Sequence, residues 1–352
     1  KYLDPTLILW RSSSQWIGGL YFLIFLVLLF SNKQFNFKMN YLTYSSDGSV
    51  NTENNIKDIS LKIFFLYASL TIFIFIILKV SGIRLYNSLN LSMTLVSAGG
   101  FLPSNSLGQI INSNYQKIVL IFSLLLSMIN FFFVYNLFNK RIITKEHNED
   151  YAIIISSIIF IIMLLVSVNN LDAFDIIINV LSSLSNSGLS LKQGPENISL
   201  YFILLTIIGG SIISNTSGIK LIRIYILFKS TVGEIIRLIR PNNIINQKIF
   251  NSDKKINNED IKIAFFIFIS FFISLFFLSA VLLFDNINFE NSFKLSVLTL
   301  TNTTISDMFN VSDINFAYLL TSSKISLIIF MIIGKIELIS IILLIKNILF
   351  KN

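Results

Sequence analysis

Three stretches of this chain, FLIFLVLLF (22–30), IFFLYASLTIFIFIIL (63–78) and IVLIFSLLLSMINFFFVY (118–135), carry few polar groups and no charge. Such runs approach or reach the ~20 apolar residues that cross a bilayer as a helix. Lipid offers no partner to a free backbone N–H or C=O, so only helices and closed barrels span it. These runs are continuous rather than alternating, which selects helices. The composition agrees: of 352 residues, 54% are hydrophobic and 13% charged, against about 25% charged in a soluble domain. The expected fold class is an all-α, multi-pass membrane protein.

The net charge of +8 raises the question of nucleic acid, and the distribution answers it. Segments 31–60, 140–150, 220–262 and 336–352 hold seventeen Lys and Arg, whereas 80–115, 168–200 and 284–322 hold only Arg84, Lys192 and Lys294. That asymmetry is the positive-inside pattern and fixes orientation, with the basic segments inside. The basic balance therefore reports topology, and no nucleic-acid partner is expected. The outer segments carry Asp172, Asp175, Glu196, Asp285, Glu290, Asp307 and Asp313. They either concentrate cations at the outer face or form an ordinary solvated surface. Cysteine is absent, which removes disulfides and thiolate metal sites. The single histidine, His147, lies in the charged stretch RIITKEHNED and reads as a solvated loop residue. No P-loop, metal-ligand cluster or Ser/His/Asp arrangement is present, so no enzyme is expected. The chain begins KYLDPTL, without an initiator Met or a signal peptide.

Long apolar segments cover roughly 12–30, 60–79, 116–139, 151–167, 198–230, 261–284 and 322–349. Between them, on the outer side, lie three shorter stretches that end in small polar residues: RLYNSLNLSMTLVSAGGF (84–101), DAFDIIINVLSSLSNSGLS (172–190) and FENSFKLSVLTLTNTTISD (289–307). Each amphipathic part is about a dozen residues, ~18 Å as a helix, too short to span. A re-entrant half-helix fits. Asp172, Asp175 and Glu290 sit near two of the helix starts, where negative charge is favoured; Arg84 occupies that place in the first copy. The repeat is a spanning helix, a half-helix with a small-residue tip, and a spanning helix. It divides the chain into 1–59 (the end of a first unit and an inner loop), 60–150, 151–260 and 261–352.

Half-helices that enter from outside turn their partly negative C-terminal ends toward the protein interior. Several such ends around one axis stabilise a dehydrating cation, and the extended residues that follow can present carbonyls in place of water. Glycine allows the close packing and positive φ this needs, and Gly99, Gly100 and Gly188 stand at the tips. Segment 198–230 poses a separate problem. As one helix it would measure ~50 Å against a ~30 Å hydrocarbon core. GGSIISNTSGIK (209–220) marks a break: Gly209, Gly210 and Gly218, β-branched Thr216 and four Ser/Asn residues, Ser214 and Asn215 among them, all disfavour helix. Lys335, mid-span in MIIGKIEL, is an ionisable group at a costly depth and hence a candidate site. Either it sets an electrostatic barrier to cations, or it forms a structural ion pair, with Glu337 as one partner.

WRSSSQWIGGL (10–20), TLVSAGGF (94–101), GGSIISNTSGIKLIR (209–223) and KISLIIFMIIGKIELISIILL (324–344) together resemble the TrkH/KtrB potassium-uptake proteins, in the family's order and over essentially the whole chain. The resemblance implies four helix–half-helix–helix units around one pore. It places filter residues at Val96, Ser97, Ala98 and Gly99, at Asn186, Ser187 and Gly188, and at Asn302, Thr303 and Thr304. It makes Gly209, Gly210, Ser214, Asn215, Thr216, Gly218 and Lys220 an intramembrane gating loop below the filter. Lys335 then stands where the family usually has an arginine, keeping the charge but losing the bidentate fork. In the family the 10–20 motif follows the first filter, so the resemblance implies a longer chain whose N-terminal part holds the first unit's outer helix and filter. Ile213 and Ser217 replace family glycines and stiffen the loop. Thr304 replaces a filter glycine, a kind of change associated in the wider family with sodium permeation.

These readings converge on potassium uptake, with sodium or mixed cation translocation in the same fold as the alternative. Potassium is then substrate, bound at the filter only, with no covalent cofactor. Nucleotide acts only through a partner, a TrkA- or KtrA-like cytoplasmic regulatory subunit docking on the basic inner loops. A homodimer in the bacterial inner membrane is implied. Two rivals remain. One is a secondary solute transporter with broken helices in which Lys220 and Lys335 bind an anion; the other is a non-conducting scaffold. The parallel orientation of the units favours the pore.

Overall fold

A computed structural model of the protein describes residues 4–31, 56–104, 106–138, 147–168, 172–240, 248, 256–311, 314 and 316–336. The described residues form α1 (Pro5–Ser31), α2 (Ile56–Val80), α3 (Leu85–Val96), α4 (Asn114–Met128), α5 (Phe131–Phe138) and α6 (Asn148–Ser167). There follow α7 (Ala173–Leu184), α8 (Glu196–Ile208), α9 (Leu221–Ile239), α10 (Asn258–Leu283), α11 (Phe289–Leu300) and α12 (Thr321–Ile336).

Burial is inverted relative to a water-soluble protein. The long helices α2, α6 and α10, each apolar enough to cross a membrane, turn bare apolar faces outward: Phe65 is 64% exposed and Val166 78%. The three 12-residue helices α3, α7 and α11 are buried at the centre although they carry Asn90, Ser92, Thr94, Asn179, Ser182, Ser183, Ser296 and Thr299. Water does not suit such an exterior, and a bilayer does. This is an all-α membrane protein.

The buried hydroxyls cost little because they bond within their own helices. Ser183 Oγ donates to Asn179 O at 2.7 Å, Ser296 Oγ to Ser292 O at 2.7 Å and Thr299 Oγ1 to Leu295 O at 2.7 Å, so each of these donors is satisfied by its own helix. Helix packing closes a ring: α4 against α7, α8 against α11, α12 against α1 and α1 against α3. The short helices thus stand around one axis, α3 and α11 on opposite sides of α7, and α1 completes the circle.

Two expectations need correction. The apolar run 116–139 predicts one continuous helix, but the structure breaks it between α4 and α5. Ile129 is extended (φ −84°, ψ 156°), and the Asn130 side chain accepts from Phe132 N–H at 2.9 Å, starting a new helix. His147 is no solvated loop residue. It is 3% exposed, precedes α6, packs on Phe133 with ring centres 4.8 Å apart and lies 3.4 Å from Asp150 Oδ2. At the start of the basic segment 220–262, Lys220 and the α9 residue Arg223 are buried. Two of the seventeen inner cations therefore belong to the protein interior.

Candidate functional site

The three short helices end identically. After the last helical residue comes Ser97, Ser185 or Thr301, then a residue in the left-handed region: Ala98 (φ 53°), Asn186 (φ 57°) or Asn302 (φ 51°). The next amide reaches back five residues: Gly99 N to Thr94 O at 2.9 Å, Ser187 N to Ser182 O at 3.1 Å and Thr303 N to Leu298 O at 2.9 Å. This is a Schellman C-cap, which asparagine tolerates better than most residues at its left-handed position. Asn186 and Asn302 also tie each tip to the following helix, donating to Thr206 O on α8 and to Met331 O on α12, both at 2.8 Å.

The fourth tip residues are Gly100, Gly188 and Thr304. Gly100 (φ 75°) and Gly188 (φ 69°) are again left-handed. A Cβ on Gly100 would run into Ser187 O and Thr304 Oγ1, and one on Gly188 into Thr304. The structure therefore brings Gly100, Ser187, Gly188 and Thr304 from three tips into one contact. Val96 is buried at the end of α3.

The 10–20 motif supports the first tip. Arg11 Nη2 donates to Leu102 O at 2.9 Å, and its guanidinium lies 4.5 Å from the Phe101 ring centre. The Gln15 side chain fills the space a Cβ on Gly99 would need, so Gly99 serves close approach rather than positive φ. Nothing in the local sequence around Arg11 and Gln15 signals these supporting contacts, which span more than 80 residues.

Residues 209–220 are non-helical throughout. Gly209 (φ 67°) and Gly218 (φ 87°) turn the chain, and Ile219 N donates to Ile207 O at 2.8 Å, closing the loop on itself. Inside it, Thr216 Oγ1 accepts from Gly210 N at 3.1 Å and lies 2.7 Å from Ser214 Oγ. The buried Lys220 ammonium donates to Ser211 O at 3.0 Å, Thr216 O at 2.5 Å and Thr216 Oγ1 at 2.8 Å. It thus satisfies carbonyls that a helix would have paired. Glu149 Oε1 accepts from Ile212 N at 3.0 Å. The α4–α5 break receives the loop: Ser211 N donates to Met128 O at 3.0 Å and Phe131 N to Ile213 O at 3.1 Å. Gly210 passes so close that a Cβ would stand 2.6 Å from Met128 O.

The loop is bonded directly to two tips. Asn215 Nδ2 donates to Val96 O at 2.7 Å, and Ser217 N donates to Asn186 Oδ1 at 3.1 Å. Lys335 Nζ donates to Asn215 O and lies 4.8 Å from the Phe22 ring centre. Lys335 also borders a cavity of about 760 Å³, lined in part by Gln15, Gly99, Gly100, Asn302 and Thr304. The partner seen for Lys335 is a loop carbonyl; Glu337 lies outside the described residues.

Among the described residues, Asp172, Asp175, Asp285 and Glu290 are engaged, whereas Asp313 and the Glu196 side chain lie outside the described residues. Lys192 Nζ lies 2.7 Å from Asp172 Oδ2 and 3.2 Å from the buried Asp175 Oδ2, and Lys294 Nζ 2.7 Å from Glu290 Oε1. Asp285 Oδ1 accepts from Leu320 N at 2.8 Å. The Lys192 hydrogen bond, aided by its charge, holds the Asp172 carboxyl below its ordinary value. These pairs leave the outer segments, with seven acids and three bases, net negative.

No family model matches the chain. It is 26% identical over 372 aligned positions to an uncharacterized cation transporter of Methanocaldococcus jannaschii, covering 100% of this chain and 72% of that protein. It is 22% identical over 263 positions to the Trk system potassium uptake protein TrkH of Halomonas elongata, covering 70% of this chain and 54% of that protein. The crystal structure of the potassium transporter TrkH from Vibrio parahaemolyticus superposes with a TM-score of 0.83 at 20% identity, covering 97% of this chain and 72% of that one. The chain has the fold of TrkH, and its resemblance to the TrkH/KtrB potassium-uptake proteins extends from its motifs to its three-dimensional structure.

Proposed function

We propose that the protein carries potassium ions across a bacterial inner membrane through a pore on the axis between its three tips. The observation that carries this reading is the convergence of three capped helix ends directly on a non-helical loop. Each helix C-terminus contributes about half a negative charge, and each tip adds backbone carbonyls where a cation must shed water. Val96–Gly99, Asn186–Gly188 and Asn302–Thr304 form the filter, and potassium binds there as substrate. Sodium in the same pore is the alternative cation.

The loop 209–220 is the gate. It is bonded to the tips through Asn215 and Asn186, so its docking and release change the path below them. The Lys335 ammonium holds the docked loop by its Asn215 carbonyl and adds a positive charge beside the cation path. Lys220 is the loop's internal brace and is fully engaged by loop oxygens, which argues against an anion-binding role. The basic inner segments are the docking surface for a TrkA- or KtrA-like regulatory subunit, through which nucleotide acts, and the transporter works as a homodimer. Energy comes from the ion gradient or that partner, with no enzymatic step in this chain.

The test is rescue of a potassium-uptake-deficient bacterium at limiting potassium, with the regulatory subunit supplied. Rescue that Gly99→Asp abolishes supports the pore. Failure of well-expressed, membrane-inserted protein to rescue would turn the reading toward another ion or a solute.

A further inference from the structure

Thr304 departs from the other two tips in both backbone and side chain. At the fourth tip position Gly100 and Gly188 have φ of 75° and 69°, whereas Thr304 is not among the residues with positive φ. A β-branched residue is strongly disfavoured in that region. The third tip therefore follows a different path, and its side chain turns toward its neighbours. Thr304 Oγ1 donates to Ser187 O at 2.6 Å and lies 3.5 Å from Gly100 O. Ser187 belongs to the adjacent tip and Gly100 to the tip across the ring, so one hydroxyl reaches oxygens of both other tips.

With the hydroxyl at 2.6 Å and 3.5 Å, no ion fits between it and either carbonyl. Even a cation as small as calcium keeps oxygens at roughly 2.3–2.6 Å, so two oxygens on opposite sides of one stand roughly 5 Å apart. Here the hydroxyl proton satisfies the Ser187 carbonyl that would otherwise replace an ion's water. The glycines of the other tips cannot do this, because they have no side chain.

We infer that Thr304 is a side-chain plug: its hydroxyl takes the place of a dehydrated monovalent cation between the Ser187 and Gly100 carbonyls. At this level the pore binds a cation only after the side chain rotates away, and that rotation limits passage. The inference rests on the cation-pore reading above, and the test separates the two.

Rubidium tracer influx is measured for the protein reconstituted in liposomes, as wild type, Thr304→Gly, Thr304→Ala and Thr304→Ser, each normalised to folded protein. Thr304→Gly and Thr304→Ala should raise influx about fivefold to tenfold, the change that the net strength of one hydrogen bond corresponds to. Thr304→Ser keeps the donor and should give a smaller rise. Wild-type influx with no rise in Thr304→Gly or Thr304→Ala overturns the plug and leaves the cation pore standing. No influx from any form overturns both. As a second readout, thallium soaked into crystals should give anomalous density between Ser187 O and Gly100 O in Thr304→Gly only. The same density in the wild type would overturn the inference without reference to flux.

Discussion

Replacing Asn215 by alanine removes one hydrogen bond and tests whether the loop 209–220 holds the pore shut. In the structure Asn215 Nδ2 donates to Val96 O at 2.7 Å, and both residues are buried, at 0% and 2% exposure. Val96 ends α3, so its carbonyl has no intrahelical partner. Losing the donor strands that acceptor in a buried site, a cost of about 1–3 kcal/mol. A water entering the vacated space brings the cost to the low end. The bond exists only while the loop is docked, so the whole cost falls on the docked state. The ratio of undocked to docked protein should rise about 5- to 150-fold. Lys335 still holds the Asn215 backbone carbonyl, which the substitution leaves in place. The assay is tracer rubidium influx per folded molecule, with a thermal melt to confirm that the fold survives. Folded Asn215→Ala protein with unchanged or reduced influx would refute the claim that this bond closes the pore.

Gly218→Ala places a Cβ 2.7 Å from Ile207 O at a φ of 87°; the strain, about 1–3 kcal/mol, should appear as a lower melting temperature in detergent. Gly334→Val should push α12 off the Leu300 backbone, which a Cβ there already meets, and should lower influx more than it lowers the yield of folded protein. Lys192→Gln removes the cation beside the buried Asp175 and should lower the melting temperature at neutral pH, whereas Asp172→Asn, at an exposed site, should change it little. Because Lys192 lowers the Asp172 pKa, that pair's contribution is complete above the ordinary carboxylate value. It is lost as pH falls through the folded pKa, so the Asp172→Asn difference should vanish in acid melts.

Much of this arrangement was legible because membrane physics writes it into composition. The half-helices were expected from their length and small-residue tips, and α3, α7 and α11 each have 12 residues. The break at 209–220 was legible because glycine, serine and asparagine carry their conformational preferences locally. The break at Ile129 was not, because SMINFFFVY contains no glycine or proline and its cause is tertiary: Met128 O and Phe131 N bond the loop instead of each other's helix. His147 looked solvated because its neighbours in sequence are charged, yet Phe133 and Asp150 enclose it. Lys192 contacts both Asp172 and Asp175 and Lys294 contacts Glu290; the first two pairs span 20 and 17 residues, too far apart for local sequence to announce. Thr304 was recognised as a missing glycine, but nothing in one dimension could show its hydroxyl reaching two other tips. Likewise the Lys335 partner is a backbone carbonyl of Asn215, 120 residues earlier, to which side-chain identities give no clue.

The central claim is that monovalent cations pass between the three tips. Its most direct measurement is potassium-driven rubidium influx into liposomes holding the purified protein and its regulatory subunit, compared with Gly188→Asp, which puts a side chain into the Thr304 contact. The account predicts saturable influx that potassium competes for and that Gly188→Asp abolishes while the protein still inserts. Influx that persists in Gly188→Asp, or none from correctly inserted wild type, would contradict it.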